Sequence, residues 1–316
     1  MSFQITHRSF GPFAEIRVEH LATGAFFTVV PGHGAVVRQL VLAARGRAVS
    51  LLHTPATPPA LAADDTYASA LLFPFPSRIP GGRYTFDGTA YQLPPNERAR
   101  GNAIHGFVAA RPFEVLAQTT GPDAAALTLR HRYAGDYPGY PFPFDLQVTY
   151  RLTDAGVFSV QYAAQNTGTR ACPVAFGWHP YFCLDGAPVD DLTLGLAVAS
   201  EVRLNDQLLP VGEGPPPTEN PLPLRGRHLD AAFVVGAAGG GVSTTLRSEA
   251  RDLTLRVWQE TGPQQFTHLV VFTHPARDRI AIEPLTAGVD AFNNGRGLRV
   301  LPPNETAGGE IRVSLT

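Results

Sequence analysis

The sequence contains no lysine: its 25 basic residues besides histidine are all arginine, against 27 acidic ones. That absence removes a Schiff-base amine and a phosphate-loop ammonium together. The simplest source of the bias is a genome that favours Arg, Ala, Gly and Pro codons. Charge of either sign is scarce, at 16% of residues with a formal net charge of −2. The cationic residues are dispersed, so neither a nucleic acid nor a membrane surface is an expected partner. There are 2 cysteines, Cys172 and Cys183. Neither belongs to a CxxC pair, the histidines lack close ligand spacing, and no metal site is expected. Both thiols are expected reduced and buried. No apolar run is long enough to cross a membrane, and Met1 to Arg8 carries no apolar leader core, so a soluble cytoplasmic protein is expected. No GxSxG or Walker motif is present, and the glycines between Gly236 and Gly241 do not follow the dinucleotide fingerprint, reading instead as a flexible turn. No fixed-period repeat and no lasting composition shift divide the chain, which reads as a single domain over residues 1–316.

What is present is 31 glycines, 29 prolines and 44% hydrophobic residues. Short segments alternate Val, Phe, Thr and Leu with polar residues, and helix-period runs are rare. That pattern predicts an all-β protein. Residues 3–52 read as a meander, with a turn at Pro31 to Gly34, and residues 55–66 as a loop. Three prolines in Leu71 to Pro80 exclude a central strand there. Gly81 to Leu93 reads as a hairpin turning at Asp87-Gly88. Strands are predicted at Leu127–Tyr133, Asp145–Leu152 and Val157–Asn166, and residues 186–228 as loop-rich. Further strands are predicted at Ser243–Leu246, Leu253–Gln259, His268–Thr273, Ile280–Ile282, Leu298–Leu301 and Glu310–Leu315.

The chain is organised around Cys172 to Leu184. Pro173 to Phe176 reads as an apolar strand broken by Gly177, after which His179 stands between Trp178 and Pro180. A titratable ring in so apolar a setting must find a partner or go neutral. A core histidine bonded to a backbone carbonyl is the plain reading. Glu283 sits in a similar setting: each ends a short apolar strand and precedes a proline. Desolvation would raise the carboxylate, and a nearby imidazolium would pull it back and stay charged, giving an acid and a base near neutral pH. Glu283 reads equally as a surface residue at a strand end. His105, near Gly101 and Gly106, and Arg78 are candidate donors to a neutral, hydroxyl-rich ligand. Asp230 is a candidate acceptor, and Phe107, Trp178 and Tyr181 are candidate apolar platforms. Each also has an ordinary reading as a loop arginine, a turn former or core packing. His131, His228, His268 and His274 read as structural or exposed.

Together these residues resemble the aldose 1-epimerase (mutarotase) family. Phe75-Pro-Ser-Arg-Ile79 is similar to its Asn-Arg-Ile segment, Ile104-His-Gly106 to its His-Gly motif, and Gly135-Asp-Tyr-Pro-Gly139 to its Gly-Phe-Pro-Gly loop. Gly177-Trp-His-Pro-Tyr-Phe182 resembles its His-x-Tyr-Phe block, Leu229-Asp-Ala-Ala-Phe233 its Asp-x-x-Phe block, and Ile282-Glu-Pro-Leu-Thr286 its Glu-Pro block. Six blocks stand in the family's order. The resemblance implies a large antiparallel β-sandwich, the galactose mutarotase-like supersandwich, with its site on a concave face. It implies Glu283 as general base and His179 as general acid, with Arg78, His105 and Asp230 binding the sugar. It implies a small-molecule sugar substrate, no cofactor, and a monomer or homodimer. Ser77 stands where many members carry Asn, and Gly177-Trp178 replaces a Thr-Asn type pair, which places the chain in a subgroup away from the typical galactose enzymes.

The expected reaction is anomer interconversion of a free aldose. Alternatives are a hexose-phosphate mutarotase, with Arg83, Arg98 and Arg100 as anion candidates, a non-catalytic sugar-binding protein, and a lyase or hydrolase on a similar sandwich.

Overall fold

The computed structural model describes residues 2–236, 239–262 and 265–316. Part of the predicted Gly236–Gly241 turn, residues 237–238, lies outside the described residues. Three antiparallel sheets make up most of the structure. The N-terminal meander forms one of five strands: Phe3–Phe10, Phe13–His20, Ala25–Val30, Val36–Ala44 and Arg47–Ser50. A nine-stranded sheet runs from Glu114–Thr120 at one edge through Ala124–Tyr133, Phe144–Thr153, Phe158–Asn166, Thr306–Leu315, Leu253–Gln259, Val242–Ser248 and Leu192–Gly195 to Leu222–Pro223. An eight-stranded sheet carries the site. Its order is Pro210–Gly214, Ser200–Leu204, Asp230–Val234, His268–Thr273, Ile280–Leu285, Gly177–His179 and Ala70–Leu72, with Tyr181–Phe182 also paired to Ile280–Leu285.

One apolar cluster joins the three sheets. It contains Phe27 and Val18 from the meander, Leu127, Tyr150 and Phe158 from the large sheet, and Trp178, Leu269 and Ile282 from the site sheet. Side chains on a strand point alternately to the two faces. Ile280 and Ile282 therefore enter this core, whereas Ala281 and Leu285 pack in separate clusters on the outer face. Glu283 shares that outer face. By the same alternation Trp178 points into the core and His179 does not.

Several local expectations change. Loop 55–66 holds a short helix, Pro58–Ala62, whose first turn is capped by Thr57 Oγ1 accepting from Ala60 N. The loop-rich stretch 186–228 contains four short strands, and Asn220 clasps both Leu196 backbone groups there. Glu114–Thr120 forms a strand that alternation could not reveal, because all seven residues are exposed. The apolar strand ends at Val174, before Gly177, and Gly177 opens the next strand, Gly177–His179, where a Cβ would stand 2.5 Å from Leu285 Cδ2. The glycine is there for close approach. Leu71 to Pro80 holds no central strand, as its prolines lead one to expect: Ala70–Leu72 ends the site sheet, and Arg78–Ile79 pairs only with Ala103–Ile104. No helix among the described residues is long and apolar enough to cross a membrane.

Candidate active site

The site begins with a strand register. Gly177 pairs with Leu285, and Tyr181 pairs with Ala281. The same register is kept by Phe176 and Thr286, whose backbone groups bond at 2.9 Å. It sets His179 directly across from Glu283, and cross-strand neighbours on one face lie within side-chain reach. Their side chains meet: His179 Nε2 stands 3.4 Å from Glu283 Oε1. Strand Ile280–Leu285 runs past Glu283, so the carboxylate sits mid-strand and not at a strand end.

Both groups are buried. Burial pushes the His179 imidazole down to about 4. Burial first, and the Asp230 charge second, hold the Glu283 carboxyl well above the ordinary carboxylate range, while Arg78 pulls the other way. Burial thus works against the charged form of both groups, and so against the resident imidazolium expected from the sequence. Nδ1 of His179 is buried and makes no hydrogen bond to another side chain among the described residues.

His105 approaches from a loop. Its ring meets that of His179 edge-on, centroids 5.3 Å apart at 84°. The Ser77 backbone N–H donates to His105 Nδ1 at 3.2 Å, and His105 N donates to the Ser77 carbonyl at 3.0 Å. Ser77 and His105 adopt left-handed backbones, φ +56 and +64. Such strain costs about 1–2 kcal/mol per residue and gathers at functional sites. Burial keeps the His105 ring neutral, with its pKa well below the usual value. Because Nδ1 accepts, Nε2 carries the proton.

Arg78 lies on the two-residue strand Arg78–Ile79, which pairs with Ala103–Ile104 just before His105. Its Nε donates to both oxygens of Glu97, at 3.1 and 3.2 Å. Arg100 and Asn102 also bond Glu97, at 3.1 and 2.8 Å. Among the described residues the Arg78 terminal nitrogens make no hydrogen bond, so the guanidinium is aimed by one edge. Asp230 opens strand Asp230–Val234, two strands from Glu283. Its carboxyl is solvent-accessible yet recessed, and burial raises its pKa against the pull of Arg78.

All five residues, His179, Glu283, Arg78, His105 and Asp230, line one cavity of about 810 Å³. Tyr181 lines it too, its ring 5.0 Å from that of His179. Trp178 does not: it is fully buried and its indole N–H reaches Ser69. Phe107 faces a neighbouring cavity. Of the three anion candidates only Arg98 lines the site cavity; Arg83 is exposed and donates to Gln92, and Arg100 is held by Glu97. Cys172 and Cys183 are free thiols, and Cys183 is only partly buried.

Sequence reasoning missed Glu97, Asn96, Tyr67 and His274, all of which line the cavity. Asn96 donates to the Tyr67 hydroxyl at 2.7 Å and bonds both backbone groups of Ile104, bracing the residue before His105. His274, expected to be structural or exposed, sits against Arg279 at 2.7 Å and the Tyr181 ring. The one signal for Asn96 and Glu97 was the Pro94-Pro-Asn-Glu97 segment leading into the His105 motif; Tyr67 and His274 had none.

Among the described residues no cluster of His, Cys, Asp or Glu is arranged to hold a metal ion. The arrangement suits proton transfer at a neutral polyol: a donor–acceptor pair that exchanges one proton, ringed by a guanidinium, an imidazole N–H and a carboxylate.

The sequence profile of the aldose 1-epimerase family matches residues 20–314. The Escherichia coli K12 protein YihR is 28% identical over 294 residues, covering 89% of this chain and 87% of that protein. An aldose 1-epimerase of the same organism is 33% identical over 159 residues, covering 49% of this chain and 42% of that enzyme. Among solved structures, a galactose mutarotase-like protein from Clostridium acetobutylicum superposes with a TM-score of 0.89 at 18% identity, covering 100% of this chain and 99% of that one. A galactose 1-epimerase from Lactobacillus acidophilus gives 0.79 at 16% identity, covering 99% and 98%. The fold is the galactose mutarotase-like β-sandwich, and the chain belongs to the aldose 1-epimerase family.

Proposed function

We propose that the protein interconverts the α and β anomers of a free aldose by ring opening and closure. The observation that carries this reading is the opposition of His179 and Glu283 at 3.4 Å within the cavity that also holds Arg78, His105 and Asp230. Glu283 acts as base on the C1 hydroxyl and His179 as acid on the ring oxygen. The proton count supports these roles. A carboxylate with an imidazolium, and a carboxylic acid with a neutral imidazole, hold the same single proton. Burial favours the neutral form. Sugar hydroxyls and the Arg78 guanidinium favour the ionised form once substrate binds.

From that form Glu283 takes the O1 proton and His179 protonates O5. The C1–O5 bond breaks and the open aldehyde forms. The pair is then neutral, the form that burial favours. Rotation about C1–C2 exposes the other face of the aldehyde, and both proton transfers run backwards to close the ring. No oxidant or external electrophile enters. His105 Nε2–H and Arg78 donate to sugar oxygens, and Asp230 accepts from hydroxyls.

Polarimetry on freshly dissolved α-aldoses tests the reading: catalysed relaxation must appear with wild type and fall away in Glu283→Gln. A second reading, a phosphorylated sugar, is favoured by one observation: Arg98 lines the cavity, exposed and, among the described residues, without a side-chain hydrogen bond or ion pair. Competition by a sugar phosphate but not by the free sugar would support it.

A further inference from the structure

A second cavity of about 690 Å³ adjoins the reaction pocket. Asp65, Tyr67 and Asn96 line both, so the two spaces share a wall. Tyr67 is a fixed part of that wall. Its hydroxyl accepts from Asn96 at 2.7 Å, and its ring packs on His105 with centroids 4.7 Å apart. The lining beyond it is amphipathic. Phe107, Tyr133 and Tyr137 supply aromatic surface, and Tyr137 is 37% exposed. Asp65, Asp136 and Arg111 are exposed, and their side chains form no hydrogen bond or ion pair among the described residues. Aromatic faces beside free carboxylates and a guanidinium suit a ring that is apolar through its C–H groups and polar around its edge.

The reaction assigned above limits how a second ring can be attached. O1 must be a free hydroxyl and O5 must be the ring oxygen. The attachment therefore leaves through another hydroxyl of the reacting sugar. We propose that the substrate is a reducing disaccharide, with its reducing-end ring on His179 and Glu283 and its second ring in the neighbouring cavity. The proposal rests on the epimerase reading for its orientation. The carboxylates Asp65 and Asp136 favour a neutral second ring over an anionic group.

The test compares glucose with maltose, cellobiose, lactose and melibiose, and galactose with galactobiose, by polarimetry. Wild type is expected to give about tenfold higher kcat/KM on at least one disaccharide than on its reducing-end monosaccharide, equivalent to about 1.4 kcal/mol. Two variants act on the second cavity alone. Tyr137→Ala removes an aromatic face, and Ala110→Trp fills the space from an exposed turn. Both should erase the disaccharide advantage through KM and leave monosaccharide turnover within about twofold. Equal or better turnover of the monosaccharides across the panel overturns the proposal, as does an advantage that survives both variants. Calorimetric titration of wild type and Ala110→Trp with the same sugars separates the two readings. Tighter disaccharide binding that Ala110→Trp abolishes, with no catalysed anomerisation of any sugar, would sink the epimerase reading and leave the second-ring site standing.

Discussion

His179 and Glu283 are cross-strand neighbours, and the proline after each interrupts the ladder beside them. In the register that pairs Gly177 with Leu285, Pro284 lies opposite Trp178 and Pro180 opposite Ile282. A proline contributes no N–H. The backbone is thus thinned on both sides of the pair, and the Ile282 N–H reaches the Pro180 carbonyl only at 3.4 Å. The two side chains face each other in that gap.

The first prediction concerns the pair itself. Glu283→Gln keeps the shape of the side chain and removes its basicity. Turnover on the best aldose should fall about 10²–10⁴-fold, with the thermal transition at or above the wild-type temperature, since a buried ionisable group is gone. Polarimetry and a melting curve check both halves. Wild-type rates in this variant would refute the assignment of Glu283 as base.

The pH profile should be broad. In the proposed reaction the pair works with one proton on it. Activity is lost when a second proton arrives, and His179 takes it only near pH 4. It is lost again when the last proton leaves, well above the ordinary carboxylate range. The acid limb of kcat/KM should therefore lie near 4 and not near 6.5, once spontaneous mutarotation is subtracted. An acid limb at 6–7 would mean that the working histidine is not desolvated in the free enzyme.

His105→Asn should weaken sugar binding. The ring N–H held toward the cavity by the Ser77 contact is lost, and a buried polar donor to a ligand oxygen contributes about 1–3 kcal/mol. KM should rise about tenfold or more with little change in melting temperature. An unchanged KM would remove His105 from the ligand contacts.

Trp178→Phe tests the opposite kind of residue. It deletes the indole N–H bonded to Ser69 and part of a fully buried ring. Urea unfolding should show a loss of about 1–3 kcal/mol, while KM for every sugar stays within about twofold. A large KM effect would place the indole against the ligand.

Gly106→Ala should be more damaging than its size suggests. Gly106 has φ +69, and a Cβ there would meet the Phe73 carbonyl oxygen at 2.1 Å. The added methyl must displace backbone next to His105. Destabilisation of about 1–3 kcal/mol and a matching fall in sugar affinity are expected, read by urea unfolding and KM.

Much of this could be read from the sequence where one side of a strand was apolar. The meander, the hairpin at Asp87-Gly88 and the strands from Leu127 to Asn166 all announce themselves by alternation. Glu114–Thr120 does not, because a strand exposed at every position has no apolar side to reveal. The paired prolines marked His179 and Glu283 without giving their register, which depends on contacts far apart in the chain. Glu97 and Asn96 went unrecognised because they act by holding Arg78 and Ile104, a task that leaves no spacing signature. For Trp178 both readings, platform and core packing, stay open in the sequence, because composition does not tell which side of a strand a residue takes; the structure places it in the core.

Trp178 and His179 are consecutive, yet one seals the hydrocarbon interior and the other lines the cavity. A slip of one position in that short strand would exchange them, turning the indole outward and sinking the imidazole into oil. Misthreading and inactivity would then be a single fault. Any molecule that turns over sugar has, by that act, already passed inspection of its central strand.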